Sequence, residues 1–319
     1  MKLFALIFFV ALGTGCSAFE RYVPETQPLD NGPLAVPDVS VNITNLGSCT
    51  DSPDRTLRFN SNLPVTILVH GCNGSAGRFR ELAQLYTFHG QQAVCFTYDD
   101  RASLVDSAQN LRTAIDQLYN QTNKQNISVI GHSMGGLVAR KAMESPYENE
   151  YFQDDIELSL VTVSAPLAGI KVAQACGSKL FHWLSLGFIP ASCWAVSGDN
   201  WYEITSASNF IKKPSPLSPS IHKYLKIVTD EKGTCRRSNK KGACLKSDYV
   251  FDLEEQYHPI IDGYSQVTNI KVEAGHVEIV GYKGVSPRKL LSTLQQNGML
   301  PKTPPEQRAE LEKLLARLY

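Results

Sequence analysis

The stretch that most constrains this chain is Ile127-Ser128-Val129-Ile130-Gly131-His132-Ser133-Met134-Gly135-Gly136-Leu137. An apolar, β-branched run predicts a strand over Ile127–Ile130, and the pattern over Met134–Met143 predicts a helix. Between them stands G-x-S-x-G. A chain that passes from strand to helix within so few residues holds its middle residue in a strained conformation, and glycines two before and two after relieve the crowding. Such a turn lifts the Ser133 hydroxyl above the strand end, beside a helix N-terminus with its dipole and a free backbone N–H. A glycine-rich turn with an ordinary surface serine would share the five residues. The flanking strand and helix make Ser133 a candidate nucleophile.

The rest of the chain repeats the alternation. Val65–Val69 reads as a strand buried on both faces, Arg78–Phe88 as a helix and Ala93–Tyr98 as a second strand. Ala108, Leu111, Ile115 and Leu118 recur at helical spacing within Asp106–Gln121. Strands follow at Leu158–Ser164, Tyr224–Thr229 and Val267–Val272, and Ser286-Pro287 predicts the N-cap and first turn of a helix reaching Gln296. This order predicts an α/β fold, a mostly parallel sheet flanked by helices, with ligands at the C-terminal edge of the strands. Residues 19–63, rich in Pro, Asn, Asp and Ser, read as an extended segment over the surface. The α/β domain would span 64–300. The alternation breaks over about 165–222, which reads as a lid or cap insertion, and 301–319 as a C-terminal amphipathic helix.

Three further segments carry chemistry. His70-Gly71-Cys72-Asn73-Gly74 follows the first buried strand, and Gly71 and Gly74 would let that loop bend. His276 lies in Glu273-Ala274-Gly275-His276-Val277-Glu278, after the last strand. Val163-Ser164-Ala165-Pro166-Leu167-Ala168-Gly169 leaves an intermediate strand. Together with Gly-His-Ser-Met-Gly-Gly-Leu-Val-Ala-Arg from Gly131, these resemble the α/β-hydrolases, in particular bacterial lipases and esterases, over roughly residues 64–297.

The resemblance implies a Ser-Asp-His triad and an acyl-enzyme, with no cofactor and no metal. Ser133 would be the nucleophile and His276 the base. The backbone N–H groups of Cys72 and Met134 would form the oxyanion hole, although the family carries an apolar residue where Cys72 stands. Asp248-Tyr249-Val250-Phe251 resembles the family's acid-bearing turn and is favoured for the acid. Asp230, directly after its strand, is the chief rival, with Asp252 and Asp262 behind. His70 belongs to the oxyanion turn, and His132 adjoins the serine on the wrong side of it. The segment 163–169 would shape the rim. The implied function is hydrolysis of carboxylic esters, the substrate being a lipid or another acyl ester. Acyl transfer, amide cleavage or a non-catalytic envelope role would share the scaffold.

The ends and the cysteines speak to compartment. Lys2, the apolar run Leu3–Leu12 and the small residues before Ala18 read as a signal peptide over 1–18. Gly15-Cys16 resembles a lipobox, which would make Cys16 a lipidated anchor, with Gly13 and Leu12 departing from that pattern. Ordinary cleavage near Ala18 is the alternative. Membrane association through Cys16 and the apolar stretch Trp183–Ile189, read as a lid, follows as an expectation. With 31 basic and 31 acidic residues the chain has no excess positive charge for nucleic acid. Seven cysteines beyond Cys16 point to disulfides in an oxidising compartment, Cys235 with Cys244 and Cys176 with Cys193 being the local pairs. An odd count leaves one thiol over, free or joined to another chain. A glycan at the sequon Asn73 would crowd the oxyanion turn, and Asn126 opens a buried strand. The four sequons, with Asn42 and Asn120, therefore favour a bacterial envelope, outer membrane or periplasm, or secretion from it.

Overall fold

The computed structural model describes residues 36–123, 126–145, 152, 156–178, 185 and 188–319. The signal segment, Cys16 and four residues of the expected lid (183, 184, 186 and 187) lie outside the described residues.

The strands in chain order are β1 (Val39–Val41), β2 (Leu46–Gly47), β3 (Leu57–Phe59), β4 (Val65–Val69), β5 (Gln92–Phe96), β6 (Asn126–His132), β7 (Glu157–Val163), β8 (Ile221–Asp230), β9 (Cys235–Ser238), β10 (Cys244–Ser247) and β11 (Val267–Glu273). Seven form one sheet in the order β11-β8-β7-β6-β4-β5-β2. All neighbours are parallel except β2, which pairs antiparallel with β5 through Leu46 opposite Phe96. Helices α1 (Arg80–Phe88), α2 (Leu104–Thr122) and α3 (Met134–Ala142) cross between the early strands.

The two-residue period of a strand decides how the core divides. Ile67, Val69, Val129 and Leu160 pack with Leu111, Ile115 and Leu137 on one face. Leu68, Ile130, Val161 and Ile227 pack with Leu82, Leu85, Leu290 and Leu315 on the other. Parallel strands covered on both sides need continuous apolar sequence, which is why β4 reads Val-Thr-Ile-Leu-Val and is buried at every residue. The terminal helix Arg308–Leu318 covers this second face with Leu311, Leu314, Leu315 and Leu318.

The structure departs from the sequence reading in three places. The segment before residue 64 is part of the sheet, because β2 extends it and Leu46, Leu57 and Phe59 are buried. Cys49–Cys95 then fastens this segment to β5. The closing helix starts at Arg288, with Pro287 rather than Ser286 at the cap and no side-chain cap bond. Finally, no cysteine among the described residues is free: Cys176–Cys193 and Cys235–Cys244 form as local pairs, and Cys72 is disulfide-bonded too. No described helix is long and apolar enough to cross a membrane.

Candidate active site

The strand-to-helix turn places Ser133 at φ 56° and ψ −127°, a conformation rare for a residue with a Cβ. It is held on both sides. The Ser133 N–H donates to the Val163 carbonyl at 2.9 Å, and Gly136 N–H donates to the Ser133 carbonyl at 2.9 Å. A Cβ on Gly131 would strike the Gly135 carbonyl, and one on Gly135 would strike the Val69 and His70 carbonyls. Those two glycines are therefore required by close approach between the turn, α3 and the end of β4.

His276 comes from the loop after β11. Its Nε2 lies 3.0 Å from Ser133 Oγ and its Nδ1 lies 2.9 Å from Glu231 Oε1. A carboxylate only accepts, so Nδ1 carries the proton and Nε2 presents a lone pair to the serine hydroxyl. Ser133 and His276 are each 6% exposed.

The carboxylate facing His276 is thus Glu231, not Asp248. Glu231 Oε1 also accepts from Ser164 Oγ at 2.7 Å and Thr229 Oγ1 at 2.9 Å. Its Oε2 accepts the N–H groups of Val250 at 2.6 Å and Phe251 at 2.9 Å. Burial alone would raise the Glu231 pKa. Bonds from His276, then Ser164 and the Phe251 N–H, override it and hold the carboxyl below its ordinary range.

Asp248 has other work. Its carboxylate accepts Val277 N–H at 3.1 Å and Glu278 N–H at 2.9 Å, and it pairs with Arg236 at 2.8 Å. Its own carbonyl accepts the His276 N–H at 2.9 Å. It therefore braces the histidine loop from behind without touching the ring. Asp230, the last residue of β8, pairs with Lys271 on β11 at 2.8 Å and is similarly remote from the ring. Asp252 engages Lys171, and Asp262 engages Lys226. One residue beyond Asp230 the chain leaves the strand, and Glu231 turns into the site. The only sequence signal for it is a glutamate directly after the strand, and nothing local tells which of Asp230 and Glu231 faces inward.

His132, set aside from sequence, packs against His276 with ring centroids 4.9 Å apart and donates Nε2–H to the His276 carbonyl at 2.8 Å. Phe251 meets the His276 ring edge-on, also at 4.9 Å. Burial, then the neighbouring His276, pushes the His132 pKa well below the usual histidine range. Burial lowers His70 as well, against its bond to the Gly71 carbonyl. The unfolded chain takes up protons below about pH 6.5 that these two buried rings refuse. Stability is therefore expected to be level above about pH 6.5 and to fall on acidification at up to about 3 kcal/mol per pH unit for the pair. Urea midpoints between about pH 7 and pH 5 measure this, and His132→Asn should remove about half of the slope.

The turn expected to hold the oxyanion lies against Ser133 and is shaped by means the sequence only partly indicated. Gly71 and Gly74 have ordinary φ, and the bend is made by Asn73 at φ 55°. Gly71 is needed for contact instead: a Cβ there would sit 2.8 Å from Ser133 Cβ. Asp100 accepts the Asn73 N–H, Tyr98 Oη donates to the His70 carbonyl at 2.7 Å, and Tyr98 stacks on the His70 ring at 4.5 Å. Cys72 follows Gly71, and Met134 opens α3, whose first N–H groups lack intrahelical acceptors. No group of His, Cys, Asp or Glu suited to a metal occurs among the described residues.

The expected rim segment contributes more than a rim. Ser164, fully buried at φ 50°, lies 2.8 Å from His276 Nδ1 and 2.7 Å from Thr229 Oγ1. The insertion reaches the site through Asn200, whose side chain donates to the Asp100 carbonyl at 2.8 Å and approaches Met134 Sδ at 4.0 Å.

A mostly parallel sheet with a tight strand-to-helix serine turn after β6, a carboxylate after β8 and a histidine after β11 defines the class of fold: the chain has the α/β-hydrolase fold. Residues 61–185 match the PGAP1-like alpha/beta domain. The mature Bacillus licheniformis lipase BlEst2 is similar in fold, with a TM-score of 0.50 and 16% identity over 82% of this chain and 98% of that one. The same lipase in its propeptide form gives 0.50 and 17% identity, covering 80% of this chain and 53% of that one. An uncharacterized protein of Saccharomyces cerevisiae, YJR098C, is 52% identical over 50 residues, 15% of this chain. The chain thus aligns with only 8% of that relative's length.

Proposed function

We propose that the chain is a serine carboxylic-ester hydrolase acting on acyl esters through Ser133, His276 and Glu231. The observation that carries this reading is the continuous bonded line from Ser133 Oγ to His276 at 3.0 Å and from His276 to Glu231 at 2.9 Å. Ser133 Oγ attacks the ester carbonyl while His276 Nε2 takes its proton. The Cys72 and Met134 N–H groups receive the oxyanion. His276 returns the proton to the departing alcohol, leaving the acyl group on Ser133. Water then attacks that ester, its proton passes to His276, and the acid leaves as the proton returns to Ser133. Glu231 keeps the Nδ1 proton in place throughout and stabilises the imidazolium.

Lipids are the proposed substrate class. Exposed Phe188 and Trp194, on the helix Phe188–Ser197 of the insertion, offer apolar surface for acyl chains. The disulfides support folding in an oxidising compartment, outside the cytosol. Of the four sequons, Asn42, Asn120 and Asn126 are exposed, so steric conflict with a glycan is confined to the half-buried Asn73. A panel of p-nitrophenyl esters of rising chain length, run beside matching anilides, tests the reading. Ester cleavage that improves with acyl length is expected. Anilides cleaved as well as esters would assign the site to amide chemistry instead.

Ser164 belongs to this machinery as a positioning residue. Ser164→Ala removes one donor from Glu231, and kcat/KM should fall about tenfold to a hundredfold. The acidic limb of kcat/KM should move to higher pH, because a carboxylate with one donor fewer holds the imidazolium proton more tightly. A pH profile measures this, and loss of activity without that displacement would make Ser164 merely structural.

A further inference from the structure

We infer that the disulfide-closed hairpin of β9 and β10 is a docking surface for an anionic phospholipid bilayer. From Lys232 to Ser247 the chain carries six basic residues and no acidic one. The whole chain balances 31 positive against 31 negative charges, so everything outside these sixteen residues carries a formal charge of −6. On a formally neutral chain this exposed element is thus a local concentration of unbalanced positive charge. Among the described residues, exposed Arg237, Lys240 and Lys241 have no carboxylate partner. Leu245 stands among them 59% exposed, and Tyr249 just beyond is 42% exposed. Cations interleaved with exposed apolar side chains suit a lipid interface, where phosphates meet the first and acyl chains the second. Nucleic acid would use the cations and leave Leu245 in water.

The hairpin is rigid and aimed. Cys235–Cys244 closes it, and the Asn239 N–H donates to Ala243 across its tip at 2.9 Å. At its base Arg236 grips Asp248, the residue that accepts the Val277 and Glu278 N–H groups behind His276. The hairpin lies between Glu231 and the Val250 and Phe251 amides that return to that carboxylate. A bilayer bound at Arg237, Lys240 and Lys241 is thus tethered to an element whose base, through Arg236 and Asp248, adjoins the histidine loop.

Docking does not require turnover, so it is measured on Ser133→Ala protein as well as wild type. Failure of the esterase reading and failure of this one are then separate results. The probes are phosphatidylcholine vesicles with and without phosphatidylserine, scored by co-sedimentation. Both proteins should bind the serine-containing vesicles, release them as salt rises, and ignore the neutral ones. The combined variant Arg237→Gln, Lys240→Gln and Lys241→Gln should bind about a hundredfold more weakly, with soluble-ester turnover and melting temperature unchanged. Equal binding by the variant, equal binding to neutral vesicles, or binding only to a DNA duplex would overturn the proposal.

Discussion

Glu231→Gln is expected to lower kcat about a thousandfold to ten-thousandfold, whereas Asp248→Asn should leave most of the chemistry and weaken the fold. The reasoning is geometric. Glu231 Oε1 faces three donors, from His276, Ser164 and Thr229, and Oε2 faces two backbone N–H groups. An amide has one acceptor and one donor end, so either orientation of glutamine sets N–H against N–H. Turned toward His276, it also selects the wrong imidazole tautomer, which in serine hydrolases costs about four orders of magnitude in kcat. Asp248 instead accepts from the backbone behind the histidine and pairs with Arg236, with its own side chain only 2% exposed. Losing one buried, charge-assisted partner there costs about 1.5–3 kcal/mol of stability. Steady-state kinetics beside thermal melts separate the two outcomes. A larger kcat loss in Asp248→Asn than in Glu231→Gln would return the acid to Asp248.

Ser133→Ala should have the greatest effect of all, a fall in kcat of about a millionfold, with KM nearly unchanged. Alanine leaves the turn, the glycine contacts and the Met134 N–H in place. What it removes is the attacking oxygen and, with it, the acyl-enzyme. Some catalysis above that of water should persist, because an oxyanion hole still stabilises direct attack by water. Progress curves with a soluble ester, on protein purified free of host esterases, measure the drop. A loss of only about tenfold would mean that another nucleophile carries the reaction.

Much of this was legible in the sequence because local rules govern it. Buried parallel strands must be apolar along their length, so β4, β6 and β7 could be placed from composition and periodicity. The turn at Ser133 tolerates only glycine at Gly131 and Gly135, where backbone meets backbone. His276 follows from its place after the last strand. Local cysteine pairs were readable because short loops close easily.

The acid was not legible because its identity depends on where β8 ends. Asp230 is the last residue in register, opposite Glu273, and its carboxylate bonds Lys271 across the sheet. Glu231 is the first residue free to turn inward. Its partners Val250 and Phe251 return only after the basic hairpin, a long-range closure that spacing does not reveal. Two-residue β2 carries too little periodicity to show, and Cys49–Cys95 spans 46 positions with no local signal. Ser164 looked like an ordinary strand exit. Its value comes from β8 and the histidine loop converging on it.

The most direct test of the account is active-site labelling with a fluorophosphonate, read by intact mass and peptide mapping. One adduct per chain is expected, on Ser133, absent in Ser133→Ala and formed far more slowly in His276→Gln and Glu231→Gln. An unlabelled wild-type protein at neutral pH, or an adduct on any other residue, would contradict it.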